Sequence, residues 1–122
     1  MPRLNVIKKS GEFSFIIKNG HGLSGPFFIF YLKKAEAPPH FGICTGKKIG
    51  CAVCRNRVRR RIREIVRSLL PCFEDFGSLV VIARKRAVKA DFGDMKRSFF
   101  EMSSRLGLTK RESRFPDPAG IV

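Results

Sequence analysis

Ala52-Val53-Cys54-Arg55-Asn56-Arg57-Val58-Arg59-Arg60-Arg61-Ile62-Arg63-Glu64-Ile65-Val66-Arg67-Ser68-Leu69-Leu70 carries two patterns at once. Val58, Ile62, Ile65, Val66 and Leu69 recur with a period near 3.6 residues, so a helix over residues 52–70 gathers them on one face. Pro71 stops it, because proline has no N–H to donate and its ring clashes with the preceding turn. The second pattern is charge. Lys47, Lys48, Arg55, Arg57, Arg59, Arg60, Arg61, Arg63 and Arg67 are opposed within their span only by Glu64. At about 100° per residue, Asn56, Arg59, Arg60, Arg63 and Arg67 share one outward stripe. Arg57 falls on the opposite flank, and Arg61 lies beside Ile65 at the rim of the apolar face.

An amphipathic helix must bury its apolar stripe against another layer, and the flanking sequence supplies strands. Upstream, Pro26 opens the β-type run Phe27-Phe28-Ile29-Phe30-Tyr31-Leu32, which closes at Glu36-Ala37-Pro38-Pro39. A second strand over residues 40–45 is expected to return antiparallel to the first, both being apolar enough to be central. Downstream, Asp75-Phe76-Gly77 makes a turn, and Leu79-Val80-Val81-Ile82-Ala83 reads as a buried strand. A last helix is expected from Asp91 to Leu106, with Phe92, Met95, Phe99 and Met102 as its apolar positions. The first helix spans residues 10–19. Ser10 is its N-cap, Phe13, Ile16 and Ile17 its apolar face, and Asn19-Gly20 a stop able to adopt the left-handed conformation. Gly20, Gly22 and Gly25 then punctuate a loop with room for a short strand. The order α-β-β-β-α-β-α predicts an α+β two-layer sandwich, with helices laid on one face of a sheet. Residues 1–106 form one domain on this reading, and 107–122 a flexible basic, proline-containing tail.

The chain has 122 residues, 43% of them hydrophobic and 12 of them Phe, enough for one domain with a real core. No apolar run approaches the ~20 residues a membrane span needs, and the N-terminus lacks a signal-peptide core. A cytoplasmic protein is the expectation. With 25 Lys+Arg against 10 Asp+Glu the formal charge is +15, a self-repulsion that a polyanionic partner would relieve. Solvated helix faces normally mix signs for pairing, and this one does not. Arginine can bond phosphate oxygens with two parallel N–H groups, whereas lysine offers a point charge. Phosphate binding is therefore preferred over mere solubility. Cys51-Ala-Val-Cys54 resembles half a zinc site, but Cys44 and Cys72 are single and supply no second close pair. The cysteines read as buried free thiols, with no disulfide framework and no zinc expected.

Gly46 through Glu64, built around Arg55-Asn56-Arg57, resembles the signature of the bacterial ribonuclease P protein subunit. Ser10 to Gly20 is similar to that family's first helix, and Val80-Val81-Ile82-Ala83-Arg84-Lys85 to its last strand and following basic pair. The likeness covers roughly residues 3–106. It implies a left-handed crossover between parallel strands around the long helix, a rare connection that spacing could not reveal. It also implies a non-catalytic protein that assists a catalytic RNA in removing 5′ leaders from precursor tRNA. Magnesium would be held mainly by that RNA. The residues agree: no Ser/His/Asp or Cys/His set and no carboxylate cluster for two metals is apparent, and His21 and His40 fall in a loop and at a strand start.

By the resemblance, Lys47, Lys48, Arg55, Asn56, Arg57, Arg59, Arg60 and Arg63 meet the catalytic RNA, and the helix stripe adds Arg67. Phe13, Ile16, Ile17, Lys18 and Tyr31, with Arg84 and Lys85, fall where the family holds the single-stranded leader of precursor tRNA. Base stacking beside a cation suits such a groove, while plain core packing is an equal reading of Phe13, Ile16 and Ile17. The sequence departs from the family pattern at Ile17, often aromatic, at Cys51, usually asparagine, and at Arg61, usually apolar. Cys51 forgoes a helix cap worth about 1 kcal/mol, and Arg61 can snorkel at the rim and reach a further phosphate. No membrane and no obligate protein partner are implied. The alternative is a ribosomal or general RNA-packaging protein without nuclease activity. A small zinc-binding DNA protein rests on the cysteines alone.

Overall fold

Phe28, Phe30 and Leu32 alternate with Ile29 and Tyr31, and this period of two gives one strand a fully buried face and a half-buried one. The computed structural model describes residues 10–110. In chain order the elements are α1 (Ser10–Asn19), β1 (His21–Ser24), β2 (Phe28–Lys34), β3 (His40–Cys44), α2 (Ala52–Leu69), β4 (Gly77–Ala83) and α3 (Phe92–Arg105). Short 3-10 turns lie at Lys47–Ile49, Leu70–Cys72 and Lys85–Lys89. The expected α+β class and element order are borne out, and the short strand after the first helix is β1.

The sheet runs β1-β2-β4-β3. β2 pairs antiparallel with β1 and β4, and β3 pairs parallel with β4. The expected β2–β3 antiparallel hairpin is therefore absent, and β3 is an edge strand rather than a central one. The reason lies in side-chain chemistry. β4 buries Leu79, Val80 and Val81 on successive positions because α2 and α3 cover one of its faces and α1 the other, the two-sided burial of a central strand. A parallel neighbour cannot be joined by a tight turn, so α2 serves as the crossover from β3 to β4.

Phe28, Phe30 and Leu32 of β2 join Leu79, Val81 and Ala83 of β4 in the main core, beneath Val58, Ile62, Ile65, Val66 and Leu69 of α2 and Met95, Phe99 and Met102 of α3. The Phe99 ring meets Phe30 at 4.8 Å and Phe28 at 5.5 Å between centroids, both edge-on. This sheet with α2 and α3 is the two-layer sandwich. The first helix does not share that layer: α1 lies on the opposite face, where Ile16 and Val80 are buried among Phe13, Ile17, Tyr31, Cys44 and Ile82. Phe92, expected among the apolar positions of α3, stays 36% exposed in its first turn.

Helix ends are held by local chemistry. The Asp91 carboxylate accepts the Gly93 N–H at 3.1 Å and caps α3. Ser10 is the first residue of α1 rather than a residue before it. Gly20 ends α1 without a positive φ; a Cβ there would collide with the Ile16 and Leu32 carbonyl oxygens, so close approach is what requires glycine. At the far end Gly107 is left-handed (φ +73°), with N–H bonds from Gly107 to Ser104 O and from Leu108 to Ser103 O. Leu108, assigned above to the tail, is 1% exposed in the core, and Thr109 bridges Phe73. The Lys110 N–H donates to Cys72 O at 2.7 Å, so the ordered unit runs past 106. Residues 111–122 lie outside the described residues.

Arg61 does not reach outward for phosphate. Its Nη1 donates to the Ala90 carbonyl at 3.1 Å, tying α2 to the segment before α3. Arg61→Ala should lower unfolding free energy by about 1–3 kcal/mol in denaturant titration while leaving the salt dependence of RNA binding unchanged. Ile62→Ala should cost about 2–5 kcal/mol by opening a cavity under α2.

Candidate nucleic-acid interface

With its apolar stripe buried, α2 turns the other side to solvent. Val53, Asn56, Arg59, Arg60 and Arg63 line one open groove of about 520 Å³, which brings together four of the residues predicted to bind RNA. Arg59 is oriented from within: Nη2 donates to Thr45 Oγ1 at 2.8 Å and Nη1 to Asn56 Oδ1 at 3.1 Å. Two guanidinium donors are spent on holding the fork at the groove wall. Arg60, Arg63 and Arg67 are exposed and, among the described residues, make no side-chain hydrogen bond or ion pair. Arg57 is exposed on the other flank. Half-buried Arg55 keeps its Nε out of solvent and, among the described residues, without a hydrogen-bond partner. Val53, absent from the predicted set, is 76% exposed and supplies an apolar lip.

A second cleft, of about 600 Å³, opens on the sheet face that carries α1. Ile29 and Ile82 form its floor, the chain at Ala83 lines its end, and Lys48, Arg84, Lys85 and Arg86 ring it. Ile29 and Ile82 are cross-strand partners on β2 and β4. Lys48 thus joins Arg84 and Lys85 rather than the α2 groove, because the Lys47–Ile49 turn packs beside the Lys85–Lys89 turn. Ile29, Ile82 and Arg86 were missed from sequence. The alternation along β2 was the available signal: it puts Ile29 opposite the Phe28/Phe30 face, and α1 is too short to cover all of that side.

Of the other predicted cleft residues, Ile16 is fully buried against Val80 and offers no surface to a ligand. Phe13, Ile17 and Tyr31 are half-buried around it, and Lys18 is exposed. None of these five lines the second cleft; they occupy the α1-covered part of the same face. The Phe13 ring rests on Gly42 of β3, where an added Cβ would come within 2.6 Å of its Cε1. Only a bare backbone lets α1 sit that low. Phe15, on the outer side of α1, is 50% exposed with Lys33 Nζ 4.7 Å from its ring centroid.

The cysteines are free thiols but not buried ones: Cys51 is exposed, and Cys44, Cys54 and Cys72 are half-buried. Burial pushes the Cys44 thiol pKa up, against the lowering effect of Arg59. Exposed His21 stands in β1, and His40 donates its Nδ1–H to Pro38 O at 2.8 Å. Among the described residues no three His, Cys, Asp or Glu side chains come together as a metal site, and no helix is long and apolar enough to cross a membrane. The arrangement is suited to holding phosphates and bases.

The family model Ribonuclease P matches residues 1–107. The Ribonuclease P protein component of Bacillus mycoides is 33% identical over 112 residues, covering 90% of this chain and 97% of that protein. The RNase P protein of Staphylococcus aureus superposes with a TM-score of 0.78 at 26% identity, covering 88% of this chain and 100% of that one. A Staphylococcus aureus mutant described as having defective mRNA degradation activity gives a TM-score of 0.76 at 27% identity, covering 84% and 88%. A motif centred on Arg55-Asn56-Arg57, a sheet in which α2 joins parallel neighbours, and matches along nearly the whole domain converge: this chain belongs to the ribonuclease P protein family.

Proposed function

We propose that this chain is the RNA-binding subunit of a ribonuclease P, working in the cytoplasm, with its α2 groove against the catalytic RNA and its sheet-side cleft on the single-stranded 5′ leader of precursor tRNA. One observation carries the reading: Asn56, Arg59, Arg60 and Arg63 share a groove on the solvent side of α2, away from the stripe that the core buries. Guanidinium groups at helical spacing match successive phosphates, and each contact made releases counterions. Arg67 extends the row by one turn, and Arg55 and Arg57 flank its start. Lys47 stands at the junction of the two surfaces.

The second cleft suits an unpaired strand. Its apolar floor can take base faces without reading sequence, while Lys48, Arg84, Lys85 and Arg86 neutralise the backbone. Phe13, Ile17, Lys18 and Tyr31 would continue that track along α1. The packed unit runs at least to Lys110, past the residue 106 at which the domain is expected to end. Magnesium belongs to the RNA on this reading: it takes hard oxygen ligands such as phosphates, and the described residues assemble no competing cluster. The bound ion would activate the attacking water and stabilise the leaving oxygen. The chain's own part is to hold RNA and leader in register and to screen their mutual repulsion.

A general RNA-packaging protein would share the salt dependence but not the preference for a leader. Full-length protein added to ribonuclease P RNA at low magnesium should restore cleavage of precursor tRNA and bind precursor more tightly than mature tRNA. The protein-only control should include an mRNA, given the activity named for the Staphylococcus aureus protein. Cleavage of either RNA by the protein alone would overturn the reading, as would equal affinity for precursor and mature tRNA. Arg60→Ala should weaken binding to the catalytic RNA and reduce the slope of log K against log salt by about one, with the circular dichroism spectrum unchanged.

A further inference from the structure

Cys51 and Cys54 stand at the start of α2, outside the RNA-facing groove. Cys51 occupies the N-cap position with extended backbone (φ −69°, ψ 172°), which turns its side chain back over the first helical turn. Its Sγ lies 3.7 Å from Cys54 Sγ. Two thiols three residues apart therefore touch, one exposed and the other half-buried behind it. The remaining cysteines, Cys44 and Cys72, are half-buried.

We propose that Cys51 and Cys54 are a redox-active dithiol that exchanges with small disulfides of the glutathione type, Cys51 attacking and Cys54 resolving. The first-turn N–H of Cys54, its thiol and the N–H of Val53 lower the Cys51 pKa, whereas the bond to Cys51 and the charge beside it raise that of Cys54. That asymmetry gives the exposed sulfur the larger thiolate fraction. In the first step Cys51 thiolate attacks one sulfur of the small disulfide, whose S–S bond breaks. A mixed disulfide forms on Cys51, and the departing thiolate takes up the proton that Cys51 gave away. In the second step Cys54 loses its proton and attacks Cys51 Sγ, expelling the second small thiol and closing the Cys51–Cys54 bond. The protein gives up two electrons and two protons, and one small disulfide becomes two thiols. None of this depends on the RNA-binding reading, because it is measured on the free protein.

The test is incubation of the full chain with oxidised glutathione, alkylation with iodoacetamide, and peptide mass mapping. The wild type should lose alkylation at Cys51 and Cys54 together, retain no glutathione, and keep Cys44 and Cys72 alkylated. Cys54→Ser should trap glutathione on Cys51. Cys51→Ser, in which serine is a better helix cap, should leave Cys54 alkylated, and circular dichroism checks that both variants fold. The proposal is overturned if all four wild-type cysteines remain alkylated, if the wild type holds glutathione on Cys51 as Cys54→Ser does, or if the bond formed involves Cys44 or Cys72.

Discussion

Burial of Val58, Ile62, Ile65, Val66 and Leu69 against Phe28, Phe30 and Leu32 of β2 and Leu79, Val81 and Ala83 of β4 anchors the whole arrangement. Each such side chain contributes about 1.5–3 kcal/mol when removed from water, so the helix has one stable rotation about its axis. That rotation decides the direction of every arginine on it. A helix free to roll would spread its guanidinium groups around a cylinder. Here Asn56, Arg59, Arg60 and Arg63 share one groove, and Arg59 is further held by Thr45 from β3's end.

The same burial concentrates positive charge. Nothing in α2 but Glu64 offsets its arginines, and exposed cations this dense repel one another until counterions or phosphates neutralise them. Some of the charge serves the fold instead: Arg61 spends a donor on the Ala90 carbonyl and Arg84 one on the Gly25 carbonyl at 3.0 Å. The second cleft uses a different economy. Its floor is apolar because β2 and β4 carry large side chains on both faces, and α1 covers only the Tyr31–Val80 end of the outer one. What remains uncovered is ringed by cations from two short turns, far apart in sequence, that meet in space.

Where sequence reading succeeded, the signal was local. The α2 stripe, the β2 run and the last helix are patterns of neighbouring residues, and each stands within a residue or two of its expected place. Where it failed, the deciding partner was distant. β3 was read as the hairpin mate of β2 because the two follow one another; the two-sided apolar character of β4 took that place instead. Spacing alone leaves Ile16 equally suited to core or cleft, and Val80 beneath it makes it core. Leu108 looked like tail because no periodicity surrounds it, yet the Gly107 turn carries it back into the core. The cysteines were read as buried from their apolar company, while Cys51 stands at a helix cap in solvent.

Sequence by itself determined the α+β class, the amphipathic helix, the arginine stripe and the family motif, since all are written in residue types at short spacing and helical or strand geometry converts spacing directly into faces. Tertiary structure alone decided the strand order, the placing of α1 on the far side of the sheet, and the gathering of Lys48, Arg84, Lys85 and Arg86 around Ile29 and Ile82. These depend on which apolar surfaces find cover in competition with one another, a contest settled by the whole chain's burial and by no single segment of it.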